Sequence, residues 1–280
     1  MVASAVHLEA LQVSAAGAAS IVRQTPEETP VALVHDGGTS AVMMATPDDL
    51  EDLAIGFSLT EGIIDDLGQI ARLEIVEARL GVEARIWLSG DRSLRLAARR
   101  RRLAGPTGCG LCGVESLQEA VRPLSAVEQG LTLSATEIQA GLSAMTMAQT
   151  LGAATRATHA AGWWSPGAGV AMVREDVGRH NALDKLAGAL ARSQQAGRSC
   201  GAVFLTSRVS IEMVQKAVMI GAQAVIAVSA PTALAIRAAE ASGLTLIGVA
   251  RDDGFTVFSH AWRLSDLDDP SRGAERRSSP

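Results

Sequence analysis

From residue 170 onward the chain alternates short apolar runs with amphipathic ones, and no other feature restricts its fold as strongly. Residues 170–173, 202–205, 224–228 and 244–250 read as strands. Residues 181–190, 211–220 and 231–241 read as helices, the first with Leu183, Leu186 and Leu190 on one face. The strand runs are continuously apolar and the links short. Such strands must be covered on both faces, which predicts an α/β architecture with a largely parallel sheet.

The N-terminal half reads differently. Residues 31–45 form short strands broken at Asp36-Gly37-Gly38, a hairpin-type turn. Thr46-Pro47-Asp48-Asp49 is a helix start, with Thr46 expected as the cap, and Leu50, Leu53, Ala54 and Phe57 repeat at helical spacing to about Gly62. Residues 72–97 suggest two or three antiparallel strands, and Ser134-Ala135-Thr136-Glu137 is a capping box that opens another helix. The expected organisation is a loose tail over 1–20, a smaller α+β part over 21–130, an α/β part over 131–264 with a mixed or parallel sheet and helices on both faces, and a disordered tail over 265–280.

Composition narrows the function. With 280 residues, 48% hydrophobic, there is material for a buried core. A net charge of −5, no tyrosine and 3% aromatics argue against nucleic acid as partner. No apolar stretch is long enough to span a bilayer, and His7 and Glu9 interrupt the start, so neither membrane nor secretory signal is expected and the cytoplasm is the default location. Three cysteines exclude a disulfide scaffold.

Two of those cysteines stand in Gly108-Cys109-Gly110-Leu111-Cys112-Gly113, ahead of Val114-Glu115-Ser116-Leu117, a plausible helix beginning. Glycines leave sulfur accessible. A helix start and the four arginines 99–102 favour the thiolate, the nucleophilic form. Such a pair suits disulfide exchange, metal binding or persulfide chemistry. Zinc would need further ligands, and Cys200 and five histidines show no ligand spacing. A thioredoxin-like site needs the pair at the start of a strand–helix unit, whereas an antiparallel region precedes it here. A deaminase needs a His-x-Glu upstream, and His7-Leu8-Glu9 lies in the expected loose tail.

Four strand ends carry polar or small residues: Arg174 to Lys185, Thr206-Ser207-Arg208-Val209-Ser210, Ser229-Ala230-Pro231-Thr232, and Gly248 to Gly254. In open α/β sheets ligands gather at that edge, so a cleft is expected there, with hydroxyls and Arg208 suited to phosphate. No GxGxxG or Walker loop is present. His159, close to Trp163 and Trp164, is a candidate proton donor or acceptor.

Taken together, the Cys109–Cys112 segment, Arg174 through Lys185, Ser210 through Ala217, and Val228-Ser229-Ala230-Pro231-Thr232 resemble the formate dehydrogenase accessory sulfurtransferases, the FdhD family, over about residues 20–262. The resemblance implies a homodimer with a cytidine-deaminase-like fold. It implies a protein that accepts sulfur from a cysteine desulfurase as a persulfide on Cys109, with Cys112 assisting. The sulfur would pass to the molybdenum of a bis(molybdopterin guanine dinucleotide) cofactor destined for formate dehydrogenase. The family's cofactor-binding segment falls on Val249, Ala250, Arg251, Asp252, Asp253 and Gly254, beside which Arg208 and Ser210 are candidate contacts. Asp252 and Asp253 replace glycines common in that segment, and Phe258 stands where tyrosine is usual. The rival readings are a cofactor-binding chaperone that transfers no sulfur, and a zinc-stabilised binding module.

Overall fold

A computed structural model describes residues 3–90, 92, 124–193 and 200–265. Three sheets organise them. Strands β1 (Ala5–Ser14) and β2 (Gly17–Pro26) pair antiparallel from Ala5–Pro26 to Ser14–Gly17. This region was expected to be loose to residue 20. Val6, Leu8 and Ala10 alternate with His7, Glu9 and Leu11, but the alanine- and serine-rich return strand hides its period.

The second sheet has the order β4-β3-β6-β5. Strands β3 (Thr29–His35) and β4 (Gly38–Ala45) turn at Asp36 and Gly37, both with positive φ, the requirement of the tight hairpin that the sequence announces. Strands β5 (Ile70–Ala78) and β6 (Gly81–Leu88) follow the helix α1 (Leu50–Thr60). Val31 and Leu33 of β3 and Val82, Ala84, Ile86 and Leu88 of β6 point alternately inward onto Leu53, Ala54 and Phe57 of α1.

The third sheet is six-stranded, in the order β12-β11-β10-β9-β7-β8. It comprises β7 (His159–Ser165), β8 (Gly169–Asp176), β9 (Ala202–Leu205), β10 (Ala224–Ala227), β11 (Thr245–Arg251) and β12 (Gly254–Ser259). Strands β9, β10 and β11 are parallel, while β7 and β12 run against their neighbours, so the sheet is mixed. Helices cover both faces, as the sequence predicts. On one face α4 (Arg179–Arg192), α5 (Ile211–Met219) and α6 (Ala233–Ser242) pack on Trp163, Val203, Leu205, Val225 and Leu246. On the other, α2 (Ala135–Ala148) packs on Trp164, Phe204, Ile226 and Ile247. The Ser134 hydroxyl accepts from the Glu137 amide, and the Glu137 carboxylate accepts from the Ser134 amide, completing the expected capping box. A short helix, α3 (Thr150–Thr155), leads into β7.

Thr46 does not cap α1. The residue at the cap position is Asp49, with φ 52° and no side-chain cap, and Thr46 is buried in a different network described below. Among the described residues no helix is long and apolar enough to cross a membrane.

Candidate functional site

The α/β sheet meets the N-terminal sheet mainly through the helix pair α1 and α4. Helices α1 and α4 cross at a point where neither carries a side chain. A Cβ on Gly56 would collide with the carbonyl of Asp184, and one on Gly188 with the carbonyl of Asp52. Two backbones this close need glycine on both sides.

Around that crossing lies the dense polar stretch from Arg174 to Lys185. The sequence offers two readings of it, a ligand-facing segment or a solvated loop, and most of its charged residues are neither. Asp176 and Lys185 are fully buried and paired at 2.7 Å. Asp176 also accepts from the Thr46 amide, the Gly178 amide and Asn181 Nδ2. Lys185 donates to the Thr46 carbonyl at 2.9 Å, and the Thr46 hydroxyl accepts from the Val177 amide. Asp184 accepts from Lys216 at 2.9 Å and from the Thr60 hydroxyl at 2.6 Å. Arg174 and Arg192 converge on the buried Asp52. Burial opposes the charge of Lys216, but Asp184 and Glu61 outweigh it and hold its pKa above the ordinary lysine value. These charges join α1 and the β4–α1 link to α4 and α5.

Two residues of the stretch stand apart. Arg179 and His180 form the first turn of α4, and Arg179 Nε and His180 Nε2 are buried without a hydrogen-bond partner. They belong to a rim formed where β8, β9, β10 and β11 end, since β8 runs parallel to β9 across the antiparallel β7. His159 opens β7 at the same edge, opposite Asp176, and the Thr206 hydroxyl accepts from the Ala160 amide. The loop after β9 is tied to the next one by the Val209 amide to the Ala230 carbonyl and the Thr232 amide to the Val209 carbonyl. Thr232 caps α6 through the Ala235 amide.

The predicted binding segment closes the rim. Val249 sits at φ 53°, where β-branched residues are strained by about 1–3 kcal/mol, and its amide bonds to the Ser229 carbonyl. Ala250 is buried. Asp252 and Asp253 are the exposed two-residue turn between Arg251 and Gly254, which pair across β11 and β12. The Arg251 guanidinium is engaged by the carbonyls of Val228 and Ala250. Arg208 is exposed, and Ser210 precedes α5 beside Glu212, its carbonyl accepting from the Met213 amide. Thus Val249–Gly254, Arg208 and Ser210 share one sheet edge with His159, Arg179 and His180. Cys109 and Cys112 lie outside the described residues.

Electrostatics distinguish the two rim histidines. Burial, then the neighbouring Arg179, lowers the His159 pKa, while Asp176 works against them. Burial lowers His180 further, from 6.5 to about 4, with Arg179 and Lys216 adding to it and Glu212 and Glu61 opposing. A histidine neutral in the fold and protonated when unfolded stabilises the protein above pH 6.5. That contribution is lost as pH falls from 6.5 toward 4, and it amounts to about 3 kcal/mol. His180→Gln is expected to flatten that part of the acid limb in urea titrations. An unchanged limb excludes His180 as its source.

Comparison with known proteins follows the same span. The sequence model of the FdhD/NarQ family matches residues 26–265. A protein of Agrobacterium fabrum named sulfur carrier protein FdhD is 49% identical over 245 residues, covering 86% of this chain and 89% of its own. One of the same name from Cupriavidus necator is 48% identical over 241 residues, covering 86% and 83%. A candidate formate dehydrogenase accessory protein from Desulfotalea psychrophila, known from its crystal structure, superposes with a TM-score of 0.75 at 23% identity, covering 94% of this chain and all of that one.

Proposed function

The chain belongs to the FdhD/NarQ family, and on that premise we propose that it is a sulfur carrier acting in the maturation of formate dehydrogenase. What carries the reading is the presence in one chain of a glycine-flanked cysteine pair and a polar strand-end rim, in a sequence 49% identical to a named sulfur carrier.

In the finer form, Cys109 thiolate attacks the sulfane sulfur on a cysteine desulfurase, and the desulfurase cysteine leaves as thiolate. The Cys109 persulfide is a stronger acid than a thiol, so its terminal sulfur is anionic. Cys112 thiolate then attacks the inner sulfur. The Cys109–Cys112 disulfide forms, the sulfur–sulfur bond breaks, and the terminal atom departs with the electron pair as sulfide. Its acceptor is the molybdenum of the bis(molybdopterin guanine dinucleotide), which is cargo here rather than a resident group. The chain acts as a homodimer in the cytoplasm and as a sulfurtransferase.

Mass spectrometry after incubation with desulfurase and cysteine is expected to show one added sulfur on the peptide containing Cys109, absent in Cys109→Ala. A Cys109→Ala variant that still activates formate dehydrogenase rejects the carrier role and leaves a cofactor-binding chaperone.

Rim residues fit the cargo's nucleotide unequally. Arg208 is an exposed cation. Arg251 already serves two carbonyls, and Asp252 and Asp253 repel phosphate. Arg208→Ala is therefore expected to weaken guanine nucleotide binding by about tenfold or more, the worth of one charge-assisted hydrogen bond, and Arg251→Ala less. Calorimetry checks this, and equal affinities for wild type and Arg208→Ala remove Arg208 from the contact set.

A further inference from the structure

We propose that Arg179 and His180 form a small-anion subsite of the strand-end rim, in which Arg179 Nε and His180 Nε2 donate to the bound anion. The inference rests on the reading that this rim receives the cargo and its sulfur.

Buried polar atoms without partners are uncommon in folded proteins, and each calls for an explanation. Here two of them belong to consecutive residues from one helical turn. Arg179 forms no ion pair within the described residues. The N-cap of α4 is Gly178, which offers no side-chain cap, and the first turn of the helix contains no acidic residue. Other buried charges close by are matched: Lys216 by Asp184 and Glu61, Lys185 by Asp176. Arg179 thus leaves a guanidinium N–H without a partner at the positive end of a 14-residue helix, its charge facing the Glu212 carboxylate without an ion pair among the described residues.

The groups facing His180 are Arg179 of its own helix, Lys216 and Glu212 of α5, and Glu61 at the end of α1. Glu61 is engaged by Lys216. Burial opposes the charge of Glu212, yet Ser210, its own backbone amide, His180 and Arg179 together hold the carboxyl below its ordinary pKa. That carboxylate forms no ion pair with Arg179 among the described residues, and Ser210 Oγ is a third buried atom of this rim without a hydrogen-bond partner. Burial and the cations of Arg179 and Lys216 disfavour protonation of His180, and an anion placed against Nε2 reverses this, so anion and proton bind together. Two sources supply such an anion: the carried sulfur, as persulfide or sulfide, and the phosphate oxygens of the cargo's nucleotide.

The test follows the ring protons of His180 in the full-length chain by NMR as pH is varied, with thiosulfate, with inorganic phosphate, and with neither. His180→Gln assigns the resonance among the five histidines. A saturating anion is expected to raise the His180 pKa from about 4 by one unit or more, equivalent to about tenfold tighter anion binding to the protonated form. Arg179→Gln is expected to abolish the rise. Response to thiosulfate alone assigns the subsite to carried sulfur, and response to phosphate alone assigns it to the nucleotide. A titration that neither anion moves overturns the proposal, as does a rise that survives Arg179→Gln. Because the wild-type titration is decisive by itself, a variant that fails to fold does not rescue the idea. Persulfide loading of Cys109 is measured separately, so failure here leaves the carrier reading standing.

Discussion

Gly56→Ala and Gly188→Ala are each expected to destabilise the protein by more than about 3 kcal/mol, although the same exchange in an ordinary helix stabilises by about 1 kcal/mol. Alanine raises helix propensity and lowers the entropy of the unfolded chain, and both effects favour the variant. Against them stands a methyl group driven into a backbone carbonyl, that of Asp184 for Gly56 and that of Asp52 for Gly188. A flexible side chain would swing aside, but a carbonyl moves only if its helix moves. Separating α1 from α4 would loosen the contacts of Asp52 with Arg174 and Arg192 and those of Asp184 with Thr60. Overpacking costs usually run to about 1–3 kcal/mol, and backbone obstacles lie at or above the upper end. Denaturant unfolding monitored by tryptophan fluorescence decides it. Either variant being as stable as wild type would show that the helices do not cross at these glycines.

The second large effect concerns charge. Lys185→Met is expected to cost about 3–5 kcal/mol, because it leaves the Asp176 carboxylate buried without its cation. Three neutral donors remain on Asp176, from Thr46, Gly178 and Asn181, and they moderate the loss without replacing the charge. A double variant, Asp176→Leu with Lys185→Met, removes the uncompensated carboxylate and is expected to recover part of the stability, although the Thr46 and Gly178 amides lose their acceptor. A loss below about 1 kcal/mol in Lys185→Met would mean that water or a rearranged neighbour reaches Asp176, and the proposed lock between α4 and the β4–α1 link would fail. The same measurement across pH separates this pair from His180, whose contribution disappears between pH 6.5 and about 4.

These two devices show where reading the sequence stops. The stretch Arg174 to Lys185 draws attention for its polarity, and its position at a strand end suggests a ligand. Yet Asp176, Asn181, Asp184 and Lys185 act on partners such as Thr46 and Thr60, more than a hundred residues earlier. Nothing local says which buried charge will meet which. Arg179 and His180, in the same stretch, do face the rim, and only the count of satisfied atoms separates them from their neighbours. The expected Thr46 cap fails for a related reason: its amide, carbonyl and hydroxyl are all taken by α4 and the end of β8.

By itself the sequence determined what depends on nearest neighbours along the chain. The strand and helix alternation over 170–250, the Asp36-Gly37 turn and the Ser134–Glu137 capping box follow from side-chain period and local hydrogen bonding, and the structure contains all three. The chemistry open to Cys109 and Cys112 also follows from residue type and spacing. Tertiary structure alone decided the antiparallel placement of β7 and β12, the glycine crossing of α1 and α4, the buried charge lock around it, and the arrival of His159 at the sheet edge where the sequence already places the strand ends holding Arg179, His180, Arg208 and Val249–Gly254. Each of these depends on contacts between residues far apart in the chain, whose energies come from burial and pairing that no local pattern encodes.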